Sequence, residues 1–180
     1  HRGAASARLE GRPTSMWAVT NGEDPMDATE LVQVIQTLNT EDAFRPRLDA
    51  QQWRVFTQYL TRHELRSGDL LVKQGDHDRT LYLLGQGSLQ VFVTGGQPGA
   101  ARIAILRAGS VLGEPGLFAD GPRMANVEAM TPCVVWALRL PRFEELAARV
   151  PQVAVEVVRA AGSVMAQRMR ANMQRQVPSA

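Results

Sequence analysis

The chain predicts an α+β fold: an antiparallel β jelly-roll barrel flanked by N-terminal helices and a long C-terminal helix. Three observations predict it. Apolar residues recur at helical spacing before residue 60, fall into short alternating runs broken by Gly and Pro between 61 and 140, and return to helical spacing after Pro141. These shifts divide the chain into an unstructured stretch over 1–25, N-terminal helices over 26–60, a β-barrel over 61–140 and C-terminal helices over 141–176.

Residues 1–25 mix Gly, Ala, Ser, Arg, Pro and Asn without periodicity. The run Leu9-Glu10-Gly11-Arg12-Pro13-Thr14-Ser15 resembles an expression or protease-site scar, which makes Met26 a natural start. A helix is expected from Asp27, three residues before Glu30 as in a capping box, with Leu31, Val34, Ile35 and Leu38 on one face. A second begins at Asp49, has Gln52 three residues on, and carries Trp53, Phe56 and Leu60 on one face; Pro46 separates the two. Strands are expected over 70–72, 80–84, 88–93, 101–106, 126–129 and 133–140, with a hairpin at Gly95-Gly96. Phe143, Leu146 and Val150 then define a short helix from Pro141, and Pro151 opens a longer one. Along that longer helix Val153, Val157, Ala161 and Val164, followed by Met165, Met169 and Met173, form a stripe.

Composition narrows the function classes. The 180 residues suffice for one domain with a real core. No apolar run approaches the ~20 residues that span a bilayer; the nearest, 150–165, is broken by Pro151, Gln152, Glu156, Arg159 and Ser163. The net charge is only +2, and the basic residues are arginines apart from Lys73. No block of like charge offers the footprint of a nucleic-acid binder, so no nucleic-acid partner is expected. Cys133 is the one cysteine, excludes an internal disulfide, and fits a reducing, cytoplasmic compartment. Its apolar neighbours Val134, Val135 and Trp136 favour a buried structural thiol. His63 and His77 are the histidines outside the suspected scar and have no clustered partners, so neither a metal centre nor catalysis is expected.

The segment that carries chemistry is Leu112-Gly113-Glu114-Pro115-Gly116-Leu117-Phe118, followed by Gly121-Pro122-Arg123-Met124-Ala125-Asn126-Val127. Pro115 suits the first position of a short helix, because its fixed φ is helical and its missing N–H is not needed there. The amides of Gly116 and Leu117 would then face outward and attract an anion. Gly113 and Gly116 permit close approach to the backbone. Arg123 can close on the same anion with a bidentate fork, and Glu114 is an acceptor suited to ribose hydroxyls. On this physics alone, two readings stay open: an anion site, or a glycine-rich turn with a surface glutamate and arginine.

These residues resemble the phosphate-binding cassette of the cyclic nucleotide-binding domain family, which reads apolar-Gly-Glu-x-small-apolar, a short spacer, then Arg, a small residue and Ala. Upstream, Leu71-Val72-Lys73-Gln74-Gly75-Asp76, then Leu81-Tyr82-Leu83-Leu84 and Gly87, resemble the family's first signature, about 40 residues before the cassette. The resemblance covers roughly residues 48–175. It implies that Arg123 pairs with the exocyclic phosphate, that Glu114 accepts from the ribose 2′-hydroxyl, and that the Gly116 and Leu117 amides cap the phosphate. Gly113, Met124 and Ala125 complete the implied cassette, while Ile103 and Ala104 resemble the apolar positions that face the ligand. The C-terminal helix would close over the base, with Arg168 or Met169 as its contact, the one by guanidinium stacking and the other by apolar contact.

Three residues depart from the family pattern. Met124 stands where a small or hydroxyl residue is usual and cannot donate to phosphate or guanine, which tilts the expected ligand to cyclic AMP, with cyclic GMP the alternative. Asp78 replaces a small residue and reads as a loop change of little consequence; Pro115 replaces an aliphatic one. The stripe Met165, Met169 and Met173 has two readings, core or dimer packing and contact with the base; a homodimer through this helix is one expectation. The implied function is a cyclic AMP sensor, without cofactor or metal, that signals by movement of the C-terminal helix. Two other readings are the ligand-binding part of a transcription regulator of the catabolite activator type, whose helix-turn-helix has no room after Gln176, and a vestigial domain used for protein contact.

Overall fold

Short polar side chains start the first two helices. A computed structural model of the chain describes residues 26–95 and 102–176. In it the Asp27 carboxylate accepts from the Glu30 amide at 2.9 Å and opens α1 (Ala28–Thr37). Asp49 opens α2 (Ala50–Thr57) with a complete capping box, its carboxylate taking the Gln52 amide at 2.8 Å while Gln52 Oε1 takes the Asp49 amide at 3.0 Å. Leu60 lies past the end of α2 and still packs against the core. The expectations for residues 1–25 and for the turn at Gly96 fall outside the described residues.

Eight strands follow: β1 (Thr61–Leu65), β2 (Leu70–Val72), β3 (Leu81–Gln86), β4 (Leu89–Phe92), β5 (Arg102–Leu106), β6 (Val111–Leu112), β7 (Asn126–Ala129) and β8 (Cys133–Leu138). A short helix, α3 (Pro115–Phe118), lies between β6 and β7; α4 (Leu140–Arg149) and α5 (Pro151–Gln176) close the order. Two strands escape the periodicity. β1 is polar (Thr-Arg-His-Glu-Leu) and borders its sheet, and β6 is only two residues long, so neither shows an alternating apolar run. Conversely β8 stops at Leu138, two residues short of expectation, because Leu140 already belongs to α4.

All strand pairs are antiparallel, but they do not form one closed ring. They make two four-stranded sheets, β1-β8-β3-β6 and β2-β7-β4-β5. The expected barrel is therefore corrected to two facing sheets: the apolar side chains of both meet in one cluster that includes Leu84, Leu112 and Val135 from the first and Val72, Leu106 and Val127 from the second. The helices lie on the other face of the first sheet. There Leu81, Leu83, Val134, Trp136 and Leu138 join Leu31, Phe44, Phe56, Leu146 and the first half of α5 in a larger cluster. β8 shows the division plainly, since Cys133 and Val135 point between the sheets while Val134, Trp136 and Leu138 point to the helices. A strand buried on both faces reads as a continuous apolar run, which is how its sequence looks. Cys133 is buried as expected, its thiol pushed up from its ordinary value by burial and held between the carbonyls of Ser88 and Thr131 at 3.3 and 3.2 Å.

The two halves of α5 differ. Val153, Val157, Ala161 and Val164 are buried in the helix-side core, whereas Met165, Met169 and Met173 beyond them are exposed. Among the described residues, no helix is long and apolar enough to cross a membrane.

Candidate functional site

Glycines and backbone ties bring the two distant sequence motifs together. Gly113, just after β6, has φ +76, a conformation in which an L side chain is strained. It also has no room: an added Cβ would lie 2.6 Å from the Thr80 carbonyl oxygen and 2.8 Å from Arg123 Nη1. Downstream, the Gly75 amide donates to the Arg123 carbonyl and the Arg123 amide donates to the Asp76 carbonyl, both at 2.8 Å. Gly75-Asp76 of the first motif thus holds the backbone of Arg123 in the second.

The Arg123 side chain is nearly buried, with 9% exposure, in a cage of oxygens. Nη2 donates to the Thr80 carbonyl at 2.6 Å and lies 3.3 Å from Asp78 Oδ2; Nη1 donates to the Gly113 carbonyl at 3.2 Å. Its Nε has no hydrogen-bond partner among the described residues. Asp78, expected to be of little consequence, is in fact the counter-ion. The amide and hydroxyl of Thr80 both donate to its Oδ1, at 3.1 and 2.8 Å. Burial works to lift the Asp78 carboxyl, but the Thr80 hydrogen bonds and the Arg123 charge overcome it and hold it below its ordinary 3.8. Nothing in the spacing marked Asp78 or Thr80, because the guanidinium reaches them from 45 and 43 residues away.

Pro115 does stand at the start of α3, as its fixed φ requires. The amides behind it are not free, however. Gly116 N–H donates to the Gly113 carbonyl at 3.2 Å and Leu117 N–H to the Glu114 carbonyl at 3.1 Å, as in a tight 3₁₀-like turn. Leu117 turns its side chain into the helix-side core, so the expected outward pair of anion donors is replaced by an internally bonded turn.

Glu114 is buried, and its partner is Arg168 of α5, whose Nη1 donates to both carboxylate oxygens at 3.1 Å. Arg168 is further fixed by Nη2 to the Val111 carbonyl at 2.7 Å and by Nε to Asp42 Oδ2 at 3.0 Å. Arg168, expected to contact the base, has the edges of its guanidinium engaged by two carboxylates and a carbonyl, bonding that leaves the flat faces of the fork unused. Asp42, on the connection between α1 and α2, was not singled out by any sequence feature.

A cavity of about 770 Å³ opens over these groups. Its polar lining includes Gly113, Glu114, Gly116, Asp78 and Arg123. Its apolar lining includes Val72, Val91, Ile103, Ala104 and Leu106 from the second sheet. Met165, Met169 and Met173 line it from α5, and Met124 and Ala125 from the loop before β7. The exposed methionine stripe therefore faces a cavity and not the core, so the core-packing reading of these three side chains fails. Among the described residues, no group of three or more His, Cys, Asp or Glu is placed to hold a metal ion.

Comparison with known proteins bears on this geometry. Residues 62–150 match the family model described as cyclic nucleotide-binding domain. A cAMP-dependent protein kinase regulatory subunit from Debaryomyces hansenii is 28% identical over 123 residues, covering 67% of this chain and 26% of that protein. The chain thus spans about a quarter of that relative's length. Among solved structures, a catabolite activator protein from Thermus thermophilus is 26% identical, with a TM-score of 0.62 over 72% of this chain and 59% of that one. A cyclic nucleotide-binding domain from Methylobacillus flagellatus shares the fold at TM-score 0.70 and 19% identity, over 85% of each chain.

Proposed function

Because residues 62–150 belong to the cyclic nucleotide-binding domain family, we propose that the cavity binds cyclic AMP and that the chain is a non-catalytic sensor. The observation that carries this reading is the mixed lining of one cavity: a caged arginine and a buried glutamate together with apolar strand and methionine side chains. A cyclic nucleotide has the same mixture, an anionic phosphate and ribose joined to a flat base. In this reading Arg123 takes the exocyclic phosphate, exchanging part of its bonding to Asp78 and the Thr80 carbonyl for phosphate oxygens. Glu114 accepts from the ribose 2′-hydroxyl. Its oxygens each retain acceptor capacity beyond the bond from Arg168, so ribose and Arg168 can share it.

The base lies against Ile103, Ala104 and Met124, with Met169 above it from α5. Thioethers offer contact without donors, so they suit adenine and give guanine no partner of its own. Output is by α5, whose second half stands over the cavity while its first half is locked in the core. A ligand shifts such a helix only through unequal affinity for its positions.

The reading is tested by calorimetric titration with cyclic AMP and cyclic GMP beside an Arg123→Leu variant. The expected result is saturable 1:1 binding that favours cyclic AMP, weakened about 10- to 100-fold by the substitution, as befits loss of a charge-assisted pair. Equal binding by both proteins removes Arg123 from the phosphate site.

A further inference from the structure

Two acidic residues from distant parts of the chain share one guanidinium. Arg168 Nε bonds Asp42 at 3.0 Å, Nη1 bonds Glu114 at 3.1 Å, and Nη2 bonds the Val111 carbonyl at 2.7 Å. Each acceptor belongs to a different element: the α1–α2 connection, the turn at the start of α3, and β6. A planar fork bound on three edges has its orientation fixed, and with it the carboxylate it faces.

Asp42 itself is on a firm footing. The Ala43 amide closes a turn onto the Thr40 carbonyl at 3.2 Å, Arg45 Nη2 reaches the Leu38 carbonyl at 2.9 Å, and Phe44 is fully buried in the helix-side core. The same connection meets α5 a second time, where the Arg47 amide donates to Glu156 Oε2 at 3.0 Å. Glu156 and Arg168 are 12 residues apart on α5, about 18 Å at helical rise. The α1–α2 connection is therefore tied along α5 at two separate points, one of them at the cavity that Glu41 and Asp42 also line.

We propose that Asp42 is a positioning residue for the nucleotide ribose: by holding Arg168 it orients Glu114 and keeps α5 at the rim of the cavity. This rests on the cyclic nucleotide reading above and adds to it a role for the N-terminal helices, which sense the ligand through the same guanidinium. Arg168 is the cation that pairs with both carboxylates, Asp42 at 3.0 Å and Glu114 at 3.1 Å. Loss of Asp42 frees one edge of Arg168 and lets Glu114 swing with it.

The test measures dissociation constants of cyclic AMP and 2′-deoxy cyclic AMP for the wild type, Asp42→Asn and Asp42→Glu, with thermal melting as a check on folding. Cyclic AMP binding should weaken about 3- to 10-fold in Asp42→Asn, the range for a partly exposed charged hydrogen bond. Binding of the 2′-deoxy nucleotide, which has no hydroxyl for Glu114, should change less than about twofold. Asp42→Glu should recover part of the preference for the 2′-hydroxyl. Equal loss for both nucleotides, or no loss for cyclic AMP, overturns the proposal while leaving the cyclic nucleotide reading intact. A wild type that binds neither nucleotide overturns that reading, and the role of Asp42 with it.

Discussion

The two faces of the sheet β1-β8-β3-β6 are filled in opposite ways. Toward the helices, large side chains interlock: Phe44, Phe56, Leu31, Leu83 and Leu146 are fully buried, and Trp53 meets Phe56 edge-on at 6.0 Å. Toward the second sheet, the cluster is smaller and gives way at one end to a cavity of about 770 Å³. What organises that end is charge and backbone, with Arg123 among three oxygens and Arg168 between two carboxylates. An interlocked apolar core has no exchangeable partner, so it resists change as a unit. A caged arginine has partners that an incoming anion can replace, which lets the same sheet be rigid on one face and responsive on the other.

The contrast breaks first at Phe56. Phe56→Ala empties a fully buried site on the helix side and should destabilise the protein by about 3–5 kcal/mol in urea unfolding. The folded fraction should keep its nucleotide affinity, since Phe56 lines the core and not the cavity. A matching loss of affinity would mean that the two faces are not separable.

Gly113→Ala probes the other face. Its Cβ would meet the Thr80 carbonyl and Arg123 Nη1 inside contact distance, at a φ of +76. The expected cost is about 1–3 kcal/mol of stability. Nucleotide affinity should fall by about tenfold or more, because the clash falls on the caged arginine. Unfolding and titration of the one variant give both numbers; a loss of stability with unchanged affinity would show that Arg123 is not at the ligand.

The smallest effect is a pH dependence at the border of this sheet. His63 lies on β1, at the border of its sheet, where burial first and then the charge of Arg139 push its imidazole below the ordinary 6.5. A folded form that resists protonation binds fewer protons than the unfolded chain. Stability is then complete above pH 6.5 and declines as pH falls from 6.5 toward the lowered value. His63→Gln should flatten the stability profile over that window, measured by urea unfolding of the ligand-free protein. Asp42 and Asp78 act in the same direction over a lower range: held below 3.8, they lose their contribution only as pH falls beneath that figure.

Much of this architecture was legible residue by residue. Asp27 and Asp49 cap helices three residues upstream of their partners, Pro115 begins α3, and Pro151 begins α5, because these are effects of neighbours on one another. Strands with an apolar alternation were readable, whereas β1 and β6 were not, the one polar and the other too short to show a period.

The sequence by itself determined the helices, most strands, the family of the central domain, and the clustering of Gly113, Glu114 and Arg123 at one place. All of these are written in spacings of a few residues, or in motifs that carry their own order. Only the tertiary structure decided that the strands form two sheets and not a ring, that the methionine stripe faces a cavity, and that Arg123 is caged by Asp78. It also decided that Arg168 joins Asp42 to Glu114 across separations of 126 and 54 residues. The physical reason is the same in each case. A side chain's partner across the fold is chosen by which elements pack together and how far its end can reach, and neither quantity has a local signature in the chain.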